Sequence, residues 1–346
     1  MKNLPPDKAS LRQSELMDDF RRLCVYAREN GVTAVLIAGD LFDENKLAKH
    51  VRKETLSAIA SASPVCFFYV SGNHDDEFEL GESLPENLYT FSQNRGWKSY
   101  DLGENVCVTG MDSKFFSPAN FSSLALRGET FHFVLLHGDV AGERGNREFI
   151  PLSALQNRRI DYLALGHIHK PTLQRLRLDE RGTYRYCGCF EGRGFDEVGA
   201  RGVFLLEVQN GKLTSEKFLS FAKREICEVR VDISRANTYF EIETLALESL
   251  KNVKAENIVK VLLCGRYKPD LRKDVSLLAR RLSERFFFVR VEDESRLMLD
   301  YNAFQNDKTE RGEFVREVGR YAFTDELREE ILEVGLKALS GEEIDL

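Results

Sequence analysis

Thr33-Ala34-Val35-Leu36-Ile37-Ala38-Gly39-Asp40-Leu41-Phe42-Asp43 runs from unbroken apolar residues into a glycine and two carboxylates. The run at 34–38 predicts a strand buried on both faces, with Gly39-Asp40 at its C-terminal end. The pattern recurs three times. Apolar residues 65–70 lead to Gly72-Asn73-His74-Asp75, residues 133–136 to His137-Gly138-Asp139, and residues 162–165 to Gly166-His167-Ile168-His169. Four of the six histidines lie in these motifs. Four strands thus deliver Asp, Asn, His and His-x-His to their C-terminal ends, the edge where an open α/β sheet binds ligands and ions. Hard oxygen donors mixed with imidazoles suit a two-metal hydrolytic centre.

Each motif residue has a chemical reading and a plain one. The Asp40 carboxylate has two oxygens and so can touch two ions held about 3.5–4 Å apart; alone, it would read as a helix cap after a strand. Asn73 offers a neutral oxygen to an ion already neutralised by carboxylate, or is a turn former after Gly72. Adjacent side chains diverge, so His74 does not easily share an ion with Asn73 and is free to face a substrate, with Asp75 to orient it. His137 ends its strand before Gly138. His167 and His169 point the same way if extended and approach different ions if the backbone curls. Glu191-Gly192-Arg193-Gly194 is either a flexible loop or a close approach that brings Arg193 to a substrate phosphate. His50 and His132 read as surface or half-buried, and Cys187 and Cys189 have no second ligand pair for a zinc site.

The series GDLFD, GNHD, LLHGD and GHIH resembles the calcineurin-like metallophosphoesterases, and within them the SbcD-like DNA repair exonucleases of the YhaO-type branch. The segments Tyr186-Cys187-Gly188-Cys189-Phe190-Glu191-Gly192-Arg193-Gly194-Phe195-Asp196-Glu197 and Gly312-Glu313-Phe314-Val315-Arg316 fit that branch. The resemblance implies an α/β fold: a two-layered β-sandwich flanked by helices over residues 1–221, with a small α+β capping domain over 222–346. It also implies Asp40, Asn73, His137 and His167 on one divalent ion and His169 with Asp40 on a second, manganese being favoured. His74, with Asp75 beside it, is then the catalytic histidine and Arg193 a substrate contact. The family's partners are DNA and a large coiled-coil, SMC-like ATPase; a second copy of the chain is a further expected partner.

Composition narrows the field further. A length of 346 residues suggests two domains, and 42% apolar residues suffice for a real core. The balance of 49 basic and 56 acidic residues gives net charge −7, which disfavours indiscriminate polyanion binding. Bound cations would supply positive charge where phosphate must sit. Seven cysteines, mostly in apolar runs, read as reduced thiols of a cytoplasmic protein. No apolar run approaches the ~20 residues of a membrane span.

Helical periodicity covers residues 11–30, with Leu16, Phe20, Leu23 and Ala27 on one stripe, and residues 49–61. Short strands are expected at 106–111, 131–136, 173–178, 184–189, 203–208 and 213–219, with Asn210-Gly211 as the turn between the last two. Beyond residue 222 a β-α-β-α-β order is followed by two amphipathic helices, the last presenting Leu327, Ile331, Val334 and Ala338 on one face.

The motifs predict a metal-dependent phosphodiester hydrolase, and the resemblance implies a nuclease subunit of DNA repair. The rival enzyme is a small-substrate phosphodiesterase or nucleotidase. A rival of another class is a catalytically impaired scaffold that regulates a partner ATPase. The family's first motif, Asp-x-His on an opening strand, does not occur before Asp40. The DNA just upstream of the Met1 codon is therefore expected to encode, in frame, a short apolar strand ending in Asp-x-His. Sequencing it decides the point; an in-frame stop directly before Met1 would refute the expectation.

Overall fold

The computed structural model describes residues 4–42, 49–73, 75, 84–91, 95–143, 145–268, 270–298, 304 and 306–340. The chain divides into two compact units, Met1–Ile226 and Cys227–Leu346.

In the first unit, β1 (Ala34–Ala38), β2 (Cys66–Val70) and β3 (Leu88–Thr90) form a parallel sheet in that order. A six-stranded sheet holds β4 (Lys98–Gly103), β5 (Val106–Gly110), β6 (Phe131–His137), β7 (Tyr162–Gly166), β8 (Leu176–Arg177) and β9 (Thr183–Tyr186), in the order β4-β5-β6-β7-β9-β8. Its inner members β5, β6, β7 and β9 are parallel and its edges antiparallel. Phe68 and Val70 of the first sheet meet Val108, Phe133, Leu135 and Tyr162 of the second in one buried core. The hairpin β10 (Val203–Gln209) and β11 (Lys212–Leu219) adds Leu206, Val208 and Leu213 to that core. Helices α1 (Pro6–Glu29) and α2 (Lys49–Ser61) cover the outside of the first sheet, where Cys24, Ala27 and Ile59 pack on Phe67 and Tyr69. Short helices α3 (Pro118–Ser122) and α4 (Leu152–Leu155) cover the second, through Phe121 and Leu155 on Val134, Leu136 and Leu163. The layers are helix, sheet, sheet, helix, the expected helix-flanked sandwich.

Strand β6 is buried at every position, because β5 and β7 flank it and a layer packs on each face. This corrects one expectation: His132 is buried, its Nε2 lying 3.2 Å from the Arg127 carbonyl. A second expected strand, 173–178, shrinks to the two residues of β8 at the sheet edge.

Helix α1 starts earlier than its apolar pattern, with Pro6 in the first turn, where proline lacks no needed donor. Its buried face is Arg12, Glu15, Asp19, Leu23, Cys24 and Ala27, charged in the first half and apolar in the second. The first half is an ionic clamp. Arg12, fully buried, donates to Glu15 at 2.9 Å, to Glu191 at 2.8 Å and to the Gly192 carbonyl at 3.2 Å. Arg224 grips Glu15 from the other side through Nη2 at 2.7 Å and Nε at 2.9 Å. The Lys223 amide donates to Asp19 at 3.0 Å. Helix, the loop at Glu191 and the segment at 223–224 are thus held on one charge cluster.

The second unit is built on β12 (Ile226–Asp232), β13 (Ile258–Cys264) and β15 (Phe288–Asp293), in the order β12-β13-β15. The two-residue strands β14 (Arg266–Tyr267) and β16 (Arg296–Leu297) pair beside them. Helices α5 (Tyr239–Ser249), α6 (Val275–Ser283), α7 (Glu310–Gly319) and α8 (Asp325–Ser340) share its core with the sheet. Thr238 and Asp274 cap α5 and α6 with side-chain oxygens. Helix α8 docks through Leu332 and Leu336, and Gly335 lies against the Phe314 ring. The buried stripe is therefore rotated from the expected one, and Leu327 and Val334 stay 44% and 37% exposed. No helix among the described residues is long and apolar enough to cross a membrane.

The clamp generates a stability prediction. Arg12→Ala leaves Glu15 and Glu191 buried without their shared cation, a loss that costs about 3–5 kcal/mol in such settings. The urea midpoint of the variant should fall accordingly; an unchanged midpoint would show the cluster to be energetically idle. Acid should act on the same cluster. Burial pushes the Glu15 carboxyl up, but the Arg224 and Arg12 guanidiniums outweigh that and hold it at about 2. Its contribution is present above the ordinary value of 4.5 and is lost as pH falls through about 2.

Candidate metal centre

The C-terminal ends of β1, β2, β6 and β7 meet at one edge of the sandwich, and their spacing is set by glycine. A Cβ on Gly39 would run into the His137 ring, one on Gly72 into the Asp40 side chain, and one on Gly166 into the Ala38 carbonyl. Gly39 has φ 86°, a left-handed conformation that glycine adopts freely. Asp40 and His167 are left-handed too, at φ 52° and 95°, although neither is glycine. Such residues cost about 1–3 kcal/mol each and cluster where a site requires them.

His137 is the buried hub. Its Nδ1 lies 2.7 Å from the Ala38 carbonyl, which only accepts, so Nδ1 carries the proton. Burial pushes the imidazole pKa down, against the pull of Asp40, which keeps Nε2 a bare lone pair. That lone pair faces Asn73 Oδ1 at 2.9 Å and Asp40 Oδ2 at 3.5 Å. An imidazole nitrogen with an amide oxygen and a carboxylate oxygen within 3.5 Å of it is a donor arrangement that suits a cation. The His167 ring stands edge-on to His137, with centroids 5.3 Å apart. The structure thus brings Asp40, Asn73, His137 and His167 together, and this donor set fits a divalent ion. Among the described residues no three His, Cys, Asp or Glu side chains gather into a metal-holding group by themselves. The Asn73 amide completes the convergent set.

The curl at His167 separates the two histidines of the last motif. His167 Nε2 turns to Glu148 Oε2 at 3.6 Å. His169 Nδ1 turns to Glu197 Oε1 at 2.5 Å. Arg193 projects beside the same carboxylate, its Nη2 3.8 Å from Glu197 Oε1 and its side chain 40% exposed. His74 lies outside the described residues. Asp75 accepts from the amides of Phe42 at 2.8 Å and Gly72 at 2.9 Å, so it ties the two motif loops together. Burial pushes its pKa up.

Three acidic residues of this edge carry no sequence signal of their own: Glu148, Glu197 and Asp112. Glu148 arrives by a loop folded back on the β6 end, where the Asp139 amide donates to the Glu148 carbonyl at 2.8 Å. Gly138 leaves room for that carbonyl. Asp112, 1% exposed, accepts from the Ser71 amide at 2.9 Å through Oδ1. Its Oδ2 is buried with no hydrogen-bond partner among the described residues. Burial raises its pKa to about 6.

Residues 13–171 match the calcineurin-like phosphoesterase family. The chain is 27% identical over 227 residues to the uncharacterized metallophosphoesterase YhaO of Bacillus subtilis, a match that covers 61% of this chain and 54% of that protein. It is 22% identical over 290 residues to the DNA double-strand break repair protein Mre11 of Thermoplasma acidophilum, covering 77% of this chain and 73% of that protein. The matched region thus spans about half the length of the first of these relatives.

The Asp112 environment predicts a pH dependence. The folded state holds a proton on this carboxyl that the unfolded chain has released between about 3.8 and about 6. Its stabilising contribution is therefore full below about 3.8 and is lost as pH rises through about 6. Asp112→Asn keeps the acceptor for Ser71 and removes the titration. Urea midpoints across pH 4–7 should show wild type losing ground to the variant as pH rises; parallel curves would contradict the assignment.

Proposed function

We propose that this chain, whose residues 13–171 match the calcineurin-like phosphoesterase family, is a metal-dependent phosphodiester hydrolase that acts on DNA. The observation that carries the reading is the convergence of His137 Nε2, Asn73 Oδ1 and Asp40 Oδ2 at the meeting point of four strand ends. Divalent cations held there would polarise the phosphoryl oxygens and lower the pKa of water. Manganese would suit this mixed oxygen and nitrogen set, and by the resemblance Asp40, Asn73, His137, His167 and His169 would hold two such ions.

The chain's own side chains do the rest. His137 stays neutral by burial and so remains a donor of electrons rather than of a proton. Arg193 reaches out beside His169 and can meet a substrate phosphate with its planar guanidinium. His74, by resemblance, stabilises the transition state or protonates the leaving oxygen. The similarity to a DNA double-strand break repair protein supports DNA as substrate. The β-α-β-α-β fold of the second unit, with α7 and α8 in its core, is read as the cap that such an enzyme uses for DNA ends. A coiled-coil ATPase partner, a homodimer and a cytoplasmic location belong to the same proposal.

The test uses linear duplex DNA and a generic phosphodiester, with manganese and with chelator. Hydrolysis should require the ion, vanish with chelator and disappear in Asp40→Asn. His74→Ala should retain its metal while turnover falls by about 10²–10⁴-fold. Hydrolysis that survives chelation would overturn the mechanism, and metal lost from His74→Ala would move that residue among the ligands.

A further inference from the structure

We propose that Glu197 is the positioning residue of His169: it fixes the ring tautomer and leaves Nε2 as the atom that His169 offers to a divalent cation. The inference rests on the metal-centre reading above and adds a residue to it. The contact is His169 Nδ1 to Glu197 Oε1 at 2.5 Å. An ionised carboxylate only accepts, so Nδ1 must carry the proton and Nε2 the lone pair.

This is not a chance pairing of surface charges. Glu197 is 6% exposed, and its second oxygen accepts from the Arg193 amide at 2.7 Å. Its own amide donates to the Gly194 carbonyl at 2.9 Å, closing the turn that presents the carboxylate. The backbone of His169 is held from the opposite side. Its carbonyl accepts from the Cys189 amide at 2.9 Å and from Arg201 Nη1 at 2.7 Å. Arg201, 5% exposed, also donates to the carbonyls of Val198 at 3.1 Å and Glu197 at 3.3 Å. Gly188, at φ 81°, lets this segment lie against the His169 carbonyl and Pro171, where a Cβ would not fit. Ring and backbone of His169 are therefore both fastened to one buried segment, 188–201. A histidine left 40% exposed on its side chain gains from Glu197 what the Ala38 carbonyl gives His137, a single tautomer.

Two measurements on the full chain test the proposal. Long-range nitrogen–proton spectra of the metal-free protein report the His169 tautomer, and calorimetry with Mn(2+) alone reports affinity. Wild type should show Nδ1–H with a bare Nε2. Glu197→Gln, which keeps an acceptor oxygen, should retain that tautomer. Glu197→Ala should lose it and weaken Mn(2+) binding about 10–100-fold, the effect of removing a partner that orients a ligand. A wild-type His169 protonated at Nε2, or a Glu197→Ala variant with unchanged tautomer and affinity, overturns the proposal. The tautomer is read without metal and well below each variant's unfolding temperature, so misfolding does not imitate the result. If wild type fails to cleave phosphodiesters but the tautomer shifts as stated, the proposed function falls and the role of Glu197 stands. Chelator-sensitive cleavage with an unshifted tautomer gives the reverse.

Discussion

The two sheets approach so closely at their C-terminal edge that no side chain fits at Gly39 or Gly166, and within the first sheet none fits at Gly72 beside Asp40. Everything at the site follows from that approach. Without a Cβ at Gly39, the His137 ring can lie against the β1 backbone and donate to Ala38. Without one at Gly72, the Asp40 carboxylate can occupy the space beside the β2 end. The left-handed turns at Asp40 and His167 then swing polar groups into a gap that regular strands would fill with their own continuation. A buried neutral imidazole, an amide oxygen and a carboxylate are brought face to face by backbone geometry, before any ligand contributes. This is preorganisation by close packing.

A different kind of interior supports the loops. The N-terminal half of α1 buries charge where its C-terminal half buries hydrocarbon. Arg12 meets Glu191 across 179 residues of sequence, and Arg224 meets Glu15 across 209. Such long-range ionic contacts are directional, unlike apolar ones, and so they specify where the loop at Glu191 lies rather than only that it is covered. Glu191 is six positions from Glu197, which engages His169. The helix layer on the outside of one sheet is thereby connected to the rim of the site.

The fold was largely legible because the four site strands are unbroken apolar runs of strand length, although β1, at the edge of its sheet, is half-buried at all five positions rather than buried on both faces. Helix α2 was readable to its ends. Strand β4 was not, since Lys98–Gly103 alternates half-buried and exposed positions at a sheet edge and carries little apolar signal. His132 was misplaced because alternation implies one wet face, and β6 has none. At the site, Asp40, Asn73, His137 and His167 were visible as strand-end residues behind glycine or apolar runs. Glu148, Glu197 and Asp112 were not. Each is an acid in a loop, or just past a strand end, and acquires meaning only from the partner that folding places beside it. The segment holding Glu197 had been singled out for Arg193, yet nothing in its spelling says which charged residue faces the histidine. The stripe on α8 was rotated for a related reason: Gly335 admits Phe314 and turns Leu332 and Leu336 inward, and periodicity alone does not see that approach.

The segment from Glu191 to Glu197 is fastened at both ends, to Arg12 at one and to His169 at the other. Surface loops ordinarily absorb an added or deleted residue at little cost. This one behaves as a connector with two pins at a fixed pitch: one residue more or fewer leaves either the cation of the helix or the imidazole of the rim unmatched. Exchange of side chains at constant length preserves both pins, whereas a change of length cannot. The hairpin turn at Asn210-Gly211, which carries no such pair of anchors among the described residues, is where length is free to drift.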